Sequence, residues 1–264
     1  MQLSDYNSIT FRRDGRVLNA TFNRPETLNS MDAEMQHEVA RLFPEVATDP
    51  ETNVLVITGA GRAFSAGGDV ELMQGMIDRP ALFVEATAHG KQLLHSILDC
   101  PKPVIAKING PAIGLGATIA LFCDLIVAAN HAKIADPHVR VGLVAGDGGA
   151  AIWPQLVGYA RAKEYLLLGD TLTGEQAASI GLINRAVPAE DLDRVVDEIA
   201  QRLASGASRA IQWTKLAVNI RLKQVVNAVI EDSFAYEALS SQTKDHQEAV
   251  NAFRDKRQPH FSGE

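Results

Sequence analysis

Two glycine-rich loops, each between a predicted strand and a predicted helix, carry the most visible chemistry of this chain. They occupy residues 59–69 and 109–117. Glycines beside a helix start let the backbone approach a ligand closely and leave free N–H groups that point toward it. Two such loops that each supply one N–H form an oxyanion hole, which stabilises charge developing on a carbonyl oxygen. The loops therefore predict carbonyl chemistry.

The composition is that of an ordinary globular protein and excludes several function classes. The 264 residues are 46% hydrophobic and 22% charged, which suffices for a substantial core. The formal net charge of −7, without a basic patch, argues against a nucleic-acid partner. The two cysteines, Cys100 and Cys123, lie in apolar segments, as expected of free thiols in a reducing compartment.

Metal, membrane and export signals are missing from the sequence. No Cys-x-x-Cys or His-Glu-x-x-His spacing occurs, so no metal site is expected. The N-terminus lacks the basic and apolar regions of a signal peptide, and no apolar stretch reaches membrane-spanning length. We therefore expect a cytoplasmic protein with no membrane partner.

Strand and helix patterns alternate over the first part of the chain. Strands are predicted at 8–13, 16–22, 54–58, 104–108, 125–129 and 133–135, and helices at 32–48, 81–98 and 116–123. The first two strands flank an Asp-Gly turn, which is typical of a hairpin, and the next three are apolar runs typical of buried strands. The alternation predicts an α/β fold with largely parallel pairing.

From residue 148 onward the pattern is mostly helical. Helices are predicted at 148–157, 160–168, 174–179, 190–204, 208–221, 224–240 and 243–254. No linker or repeat divides the chain. We therefore predict one core domain, residues 1–200, followed by a helical oligomerisation region, residues 201–264.

With these motifs in order, the chain resembles the crotonase (enoyl-CoA hydratase/isomerase) superfamily over nearly its whole length. The matching segments are residues 23–25 with Asn29, 59–69, 108–124, 146–149, 168–178, 181–183 and 253–259. One glycine-rich loop would be weak support, whereas an ordered series is specific. The resemblance implies a spiral of ββα units with a helical C-terminal region that trimerises, and often a hexamer of two trimers.

The resemblance also implies a coenzyme A thioester as substrate and no separate cofactor. The N–H groups that hold its carbonyl oxygen correspond to Ala66 and Leu115, and the leucine side chain should narrow the pocket because many relatives have glycine there. Further substrate contacts are implied at Arg24, Ala63, Ser65, Gly67, Gly68, Asp69, Gly114, Thr118 and Lys256. The cationic side chains among them suit the phosphates of coenzyme A.

The two catalytic glutamates of the family's hydratases are missing. The resemblance places them at Thr118 and His138, and neither position carries a carboxylate. Threonine cannot act as a base near neutral pH, so hydration by two glutamates is not expected. His138 and Asp147 offer a replacement, because histidine is the usual general base and a carboxylate can orient it and stabilise its cationic form.

Residues 137–154 are similar to the β-diketone hydrolase branch of the superfamily, the 6-oxocamphor hydrolase type. There the corresponding histidine and aspartate, with a glutamate that matches Glu237, drive a retro-Claisen carbon–carbon cleavage. A further histidine of that pocket corresponds to Leu115, whereas Arg24 and Lys256 are features associated with coenzyme A.

Three functions are therefore open. The leading hypothesis is an acyl-CoA hydratase or isomerase in which His138, supported by Asp147, moves the proton. The others are a β-diketone hydrolase that also uses Glu237, and a catalytically idle acyl-CoA-binding protein. Each side chain also has a structural interpretation: Asp147 as a helix cap, Asp69 as a partner of a helix dipole, His138 as a loop hydrogen-bonding residue and Glu237 as surface charge.

Overall fold

Nine strands form two sheets in the computed structural model, which describes residues 5–264. The strands are β1 (Ile9–Asp14), β2 (Val17–Phe22), β3 (Val54–Gly59), β4 (Val104–Ile108), β5 (Ala112–Ile113), β6 (Leu125–Ala129), β7 (Lys133–Ala135), β8 (Leu172–Thr173) and β9 (Arg185–Val187). The prediction about a signal peptide falls mainly on residues 1–4, which lie outside the described residues.

The larger sheet has the order β1-β2-β3-β4-β6-β9, and the smaller sheet has the order β5-β7-β8. β1 and β2 form the predicted antiparallel hairpin, and every other pairing in the larger sheet is parallel. The α/β class is thereby confirmed. β5, β8 and β9 were not predicted, since two or three residues are too short for a periodic pattern to be visible.

Nine α-helices cover the strands and form the C-terminal part of the described chain. They are α1 (Ala33–Thr48), α2 (Val70–Asp78), α3 (Pro80–Asp99), α4 (Leu115–Leu121), α5 (Gly149–Leu168), α6 (Gly174–Ser179), α7 (Leu192–Ala204), α8 (Ser208–Ser240) and α9 (Lys244–Arg254). None of the helices in the described range combines the length and the apolarity that a membrane span requires.

Two of the helix predictions differ from the structure in opposite ways. The two helices predicted at 208–221 and 224–240 form the single helix α8, because no glycine or proline interrupts the residues between them. The two predicted at 148–157 and 160–168 lie in α5, which bends at Gly158, where φ is 77° and ψ is 162°. That backbone conformation is accessible to glycine but costly for other residues.

The two glycine-rich loops meet because β3 and β4 are neighbouring parallel strands, whose carboxyl ends lie at one edge of the sheet. The Ile113 N–H donates to the Ser65 carbonyl oxygen at 3.0 Å, which joins the loops directly. Gly67 has a φ of 88°, and a Cβ there would lie 2.6 Å from the Ile113 carbonyl oxygen. Only glycine therefore allows the loops to approach this closely.

Candidate active site

Two adjoining cavities open beside the glycine-rich loops, and both are lined by Gly68, Asp69, Met73 and His138. We call the smaller cavity, with a volume of about 100 Å³, the inner cavity. The larger one, with a volume of about 570 Å³, is the outer cavity. The inner cavity is otherwise lined by Gln36, Leu72, Met76, Phe83, Ala86, Thr87, Gly90, Leu115, Leu143, Asp147, Phe234, Glu237, Ser241 and His246. A mostly apolar pocket with a few convergent polar groups is typical of a small-molecule site.

The backbone N–H groups near the cavities differ in whether they already donate a hydrogen bond within the protein. Leu115 is the first residue of α4 and lines the inner cavity, so its N–H has no acceptor within the helix. The N–H of Gly68, which lines both cavities, has no hydrogen-bond partner among the described residues. Ala66 also lines the outer cavity, but its N–H donates to the Leu28 carbonyl oxygen at 2.9 Å.

This hydrogen bond contradicts the prediction that the Ala66 N–H is free to hold a substrate oxygen. The cause is local: residues 28–31 run alongside the loop, and the Met31 N–H donates to the Gly67 carbonyl oxygen at 2.7 Å. That pairing occupies the polar groups at the start of the loop. The next N–H that faces a cavity without a partner among the described residues is that of Gly68.

His138 lies between two buried carboxylates. Its Nδ1 contacts Asp136 Oδ1, and its Nε2 lies 3.4 Å from Asp147 Oδ2. The Thr118 hydroxyl donates to Asp147 Oδ1 at 3.2 Å. Thr118 itself is fully buried and lines neither cavity, so it acts on the site through Asp147.

The position of Asp147 is set by the start of α5. Asp147 accepts a hydrogen bond from the Gly149 N–H, while Gly148 is the N-cap residue and has a φ of 125°. A Cβ at Gly148 would lie 2.8 Å from Thr118 Cγ2, so glycine allows α5 to begin directly against α4. Asp147 therefore satisfies a helix N–H and lines the inner cavity at the same time.

The charges of this cluster are strongly coupled. Burial by itself lowers the pKa of His138, but the charges of Asp136 and Asp147 and their hydrogen bonds raise it well above its usual value. Burial raises the pKa of Asp147, but the positive charge of His138 and the hydrogen bonds from His138 and Thr118 lower it. We therefore describe His138 as an imidazolium and Asp147 as a carboxylate near neutral pH.

Glu237 reaches the same cavity from α8. It is 8% exposed, and its Oε2 has no hydrogen-bond partner among the described residues. Burial, followed by the negative charge of Asp147, raises the pKa of Glu237 to about 8. The interpretation of Glu237 as surface charge is wrong, and near neutral pH this carboxyl group keeps its proton.

Several of the other predicted contact residues do not face either cavity. Arg24, Ala63, Ser65, Thr118 and Lys256 line neither cavity. Arg24 lies 2.9 Å from Asp32 and donates to the Ser30 carbonyl oxygen, and Ser65 is fully buried and donates to the Asn29 carbonyl oxygen. Gly67, Gly68, Asp69 and Gly114 line the cavities, and Asp69 also caps α2 by accepting from two backbone N–H groups.

Sequence reasoning missed most of the side chains that shape the inner cavity. Met73 and Met76 lie on α2, and the spacing of apolar residues on that short helix could have indicated an apolar face. Nothing in the sequence indicated that Phe234, within the long helix α8, faces a cavity. His246 was not singled out from the sequence, and it is 1% exposed, lines the cavity and contacts the Val141 carbonyl oxygen through Nδ1 at 2.7 Å.

A metal ion could in principle use the ligands of this cluster. Oxygen and nitrogen atoms of Asp136, His138 and Asp147 all lie within 4.8 Å of one another. Both ring nitrogens of His138 already face carboxylate oxygens, so a metal would have to displace those contacts. The arrangement therefore fits a hydrogen-bonded acid–base cluster better than a metal centre.

Comparisons with known proteins cover almost the whole chain. The family described as "Enoyl-CoA hydratase/isomerase" matches residues 12–264. The chain is 35% identical to 1,2-epoxyphenylacetyl-CoA isomerase of Escherichia coli, over 94% of this chain and 95% of that protein. Among solved structures, an enoyl-CoA hydratase/isomerase from Mycobacterium paratuberculosis has a TM-score of 0.90 at 35% identity, covering 94% of this chain and 99% of that one. A β-diketone hydrolase from the cyanobacterium Anabaena, bound to (S)-3-oxocyclohexyl acetic acid, has a TM-score of 0.84 at 28% identity, covering 91% and 96%.

Proposed function

The chain belongs to the enoyl-CoA hydratase/isomerase family, and from this premise we propose that it moves a proton on an acyl-CoA thioester through an enolate. The observation that carries the proposal is one cavity lined by Gly68, Leu115, Asp147 and Glu237. The first two offer backbone N–H groups, and the last two offer a carboxylate and a protonated carboxyl group. Together these groups meet the needs of enolate chemistry.

The thioester oxygen is held by the N–H groups of Gly68 and Leu115. Removal of a proton next to the thioester carbonyl shifts negative charge onto that oxygen, and preorganised donors stabilise such charge at the moment it develops. Gly68 replaces Ala66 in this role because the Ala66 N–H is bonded to Leu28. Leucine at position 115 keeps the N–H while its side chain narrows the inner cavity.

Asp147 accepts the proton and Glu237 supplies one. Two carboxyl groups whose pKa values are driven apart by their surroundings are suited to opposite roles, with the ionised one as base and the neutral one as acid. In an isomerisation, Asp147 removes a proton from one carbon and a proton is returned to another. In a hydration, Asp147 takes a proton from water, the hydroxyl adds to the double bond and Glu237 protonates the neighbouring carbon.

This assignment changes the predicted role of His138. A base must have a free lone pair, but both ring nitrogens of His138 face carboxylate oxygens and its pKa is raised. His138 therefore holds Asp147 in place and in its charged form. The base is the carboxylate that the histidine supports.

The two cavities suit the two ends of an acyl-CoA. The outer cavity of about 570 Å³ takes the pantetheine side, and the inner cavity of about 100 Å³, with Phe83 and Phe234 in its wall, takes a short or narrow acyl group. Arg24 is paired with Asp32, so Lys256 is the remaining cation for the phosphates among the predicted contacts, and this contact stays a prediction.

The test is turnover of a panel of enoyl-CoA and 3-hydroxyacyl-CoA thioesters by the wild type, Asp147→Asn and Asp193→Asn. We expect Asp147→Asn to lose about 10²- to 10⁴-fold in kcat while it still binds the thioester in calorimetry. Asp193→Asn is the matched control, because the Asp193 side chain is 79% exposed, pairs with Lys107 at 2.6 Å and lies outside both cavities. A wild type that neither turns over nor binds these thioesters would contradict the proposal.

A β-diketone hydrolase is the second candidate, favoured by the convergence of His138, Asp147 and Glu237 on one cavity. In that reaction water adds to one carbonyl carbon, the carbon–carbon bond breaks toward the second carbonyl, and the resulting enolate carbon is protonated. The absence of a polar side chain at Leu115 weighs against it. Cleavage of cyclic 1,3-diketones that is lost in Asp147→Asn would favour it over thioester chemistry, and binding of thioesters without any turnover would favour an idle binding protein.

We further propose that the chain forms a homotrimer or a hexamer of two trimers. Large apolar side chains are exposed on α5 and α8: Tyr159, Leu167, Leu168, Trp213, Val218, Ile220, Tyr236 and Leu239. Burial of such a surface against other copies would remove it from water. Light scattering that gives a monomer would contradict this proposal, whereas the division at residue 200 and the cytoplasmic location stay predictions.

A further inference from the structure

Asp136 is a buried carboxylate directly behind His138, and it lines neither cavity. It is 2% exposed, its Oδ1 contacts His138 Nδ1, and its Oδ2 has no hydrogen-bond partner among the described residues. A Cβ at Gly149 would lie 1.9 Å from Asp136 Oδ2, so only glycine at the start of α5 leaves room for this carboxylate. The fold therefore keeps Asp136 at a position that carries a desolvation cost.

The contacts of His138 with two carboxylates restrict its protonation. A neutral imidazole has one N–H and one lone pair, so it can donate to only one carboxylate. The ring nitrogens face Asp136 on one side and Asp147 on the other. A lone pair that faced either carboxylate would be repelled, whereas an imidazolium donates to both.

We propose that Asp136 is a positioning residue that keeps His138 an imidazolium, so that Asp147 and not His138 is the proton acceptor of the cavity. The inference rests on the proposed function for the role of Asp147, but the charge of His138 can be measured without a substrate. Without Asp136, one nitrogen of His138 would be free to lose its proton. The histidine could then act as a base, and Asp147 would lose part of its stabilisation as a carboxylate.

The other charged and titratable groups around His138 agree with this role. Glu237 from α8 is neutral near pH 7, and burial lowers the pKa of His246 on α9, so neither offers a competing charge there. Arg140 lies on the same short turn as His138 but pairs with Asp170 at the surface. With His138 as a cation between the carboxylates of Asp136 and Asp147, the three groups together carry one net negative charge.

The test is a pH titration of the ring nitrogens by ¹⁵N NMR on histidine-labelled protein, with the His138 signals assigned by their loss in His138→Gln. In the wild type, both nitrogens should stay protonated through neutral pH. In Asp136→Asn, the pH of half-protonation should fall by at least about one unit, because an opposite charge in contact shifts a pKa by about 1–3 units.

Asp193→Asn is the matched control, since it neutralises an exposed carboxylate without touching the cluster. It should leave the His138 titration unchanged. A wild-type His138 that loses a proton below about pH 7, near its unperturbed pKa, would overturn the proposal even if Asp136→Asn does not fold. So would a folded Asp136→Asn whose His138 titrates as in the wild type. Because the titration needs no substrate, its result is independent of whether acyl-CoA thioesters turn over.

Discussion

Replacement of Glu237 by glutamine should make the protein more stable and less active at the same time. Glutamine has nearly the shape of the protonated glutamate and cannot ionise. In the wild type, burial beside Asp147 raises the pKa of Glu237 from 4.5 to about 8. The unfolded chain releases this proton above pH 4.5, whereas the folded chain keeps it until about pH 8, so the free energy of unfolding falls as the pH rises through this window.

The size of the change in the free energy of unfolding follows from the difference between the pKa values of Glu237 in the folded and unfolded chains. Each pH unit between the two pKa values changes the free energy of unfolding by about 1.4 kcal/mol. Between about pH 5.5 and 7.5, the wild type should therefore lose about 2–3 kcal/mol relative to Glu237→Gln. Other titrating groups are common to both proteins and cancel in the difference. Loss of the proton donor should lower kcat by about 10²- to 10⁴-fold.

The assay is urea unfolding of both proteins at the two pH values, at one protein concentration because association contributes to stability. The control is Glu231→Gln on the same helix, whose side chain is 71% exposed and pairs with Lys91. Its effect should stay within about 0.5 kcal/mol at both pH values. A stability difference for Glu237→Gln that does not change with pH would refute the conclusion that Glu237 is buried with its proton.

Two further predictions concern the backbone donor and the support of α8. Leu115→Pro removes the N–H at the first position of α4, where proline is well tolerated, and should lower kcat by about 10²- to 10³-fold. Leu115→Gly keeps the N–H and should retain most activity, so equal losses in the two variants would contradict the role of that donor. Lys215→Met leaves the Asp124 carboxylate without its 2.7 Å partner and should lower the free energy of unfolding by about 3–5 kcal/mol in urea. The double variant with Asp124→Asn should recover much of this loss, and failure to recover would show that the ion pair is not the cause.

The fold was largely predictable because its signals are local. The buried strands β3 and β4 are short apolar runs, and each is followed by glycines that permit a tight turn. Their parallel pairing brings the two loops to one edge of the sheet, where residues of both loops line the cavities. The availability of the Ala66 N–H was mispredicted, because it depends on the pairing of residues 28–31 with the first loop, a contact between segments more than 30 residues apart.

The acid–base groups were predictable only in part. Residue types and the resemblance indicated His138, Asp147 and Glu237, and all three line the inner cavity. Their charge states depend on burial and on neighbours that the sequence does not reveal. Asp136 was visible in the sequence beside His138, but only its contact with Nδ1 shows that the histidine is held between two carboxylates.

The site therefore has two parts of different origin, and substitutions should affect them differently. The proposed oxyanion donors are backbone groups positioned by two neighbouring strands, whereas Asp147 comes from the start of α5 and Glu237 from α8. Thr118→Glu would place a carboxylate where the resemblance puts a hydratase glutamate. Thr118 is fully buried and its hydroxyl lies 3.2 Å from Asp147, so the new group would meet an existing carboxylate at close range. Like charges at this distance cannot both ionise, so we expect lower stability and no gain in hydration of enoyl-CoA. A stable Thr118→Glu with faster hydration would show that the acid–base groups do not act as one electrostatic unit.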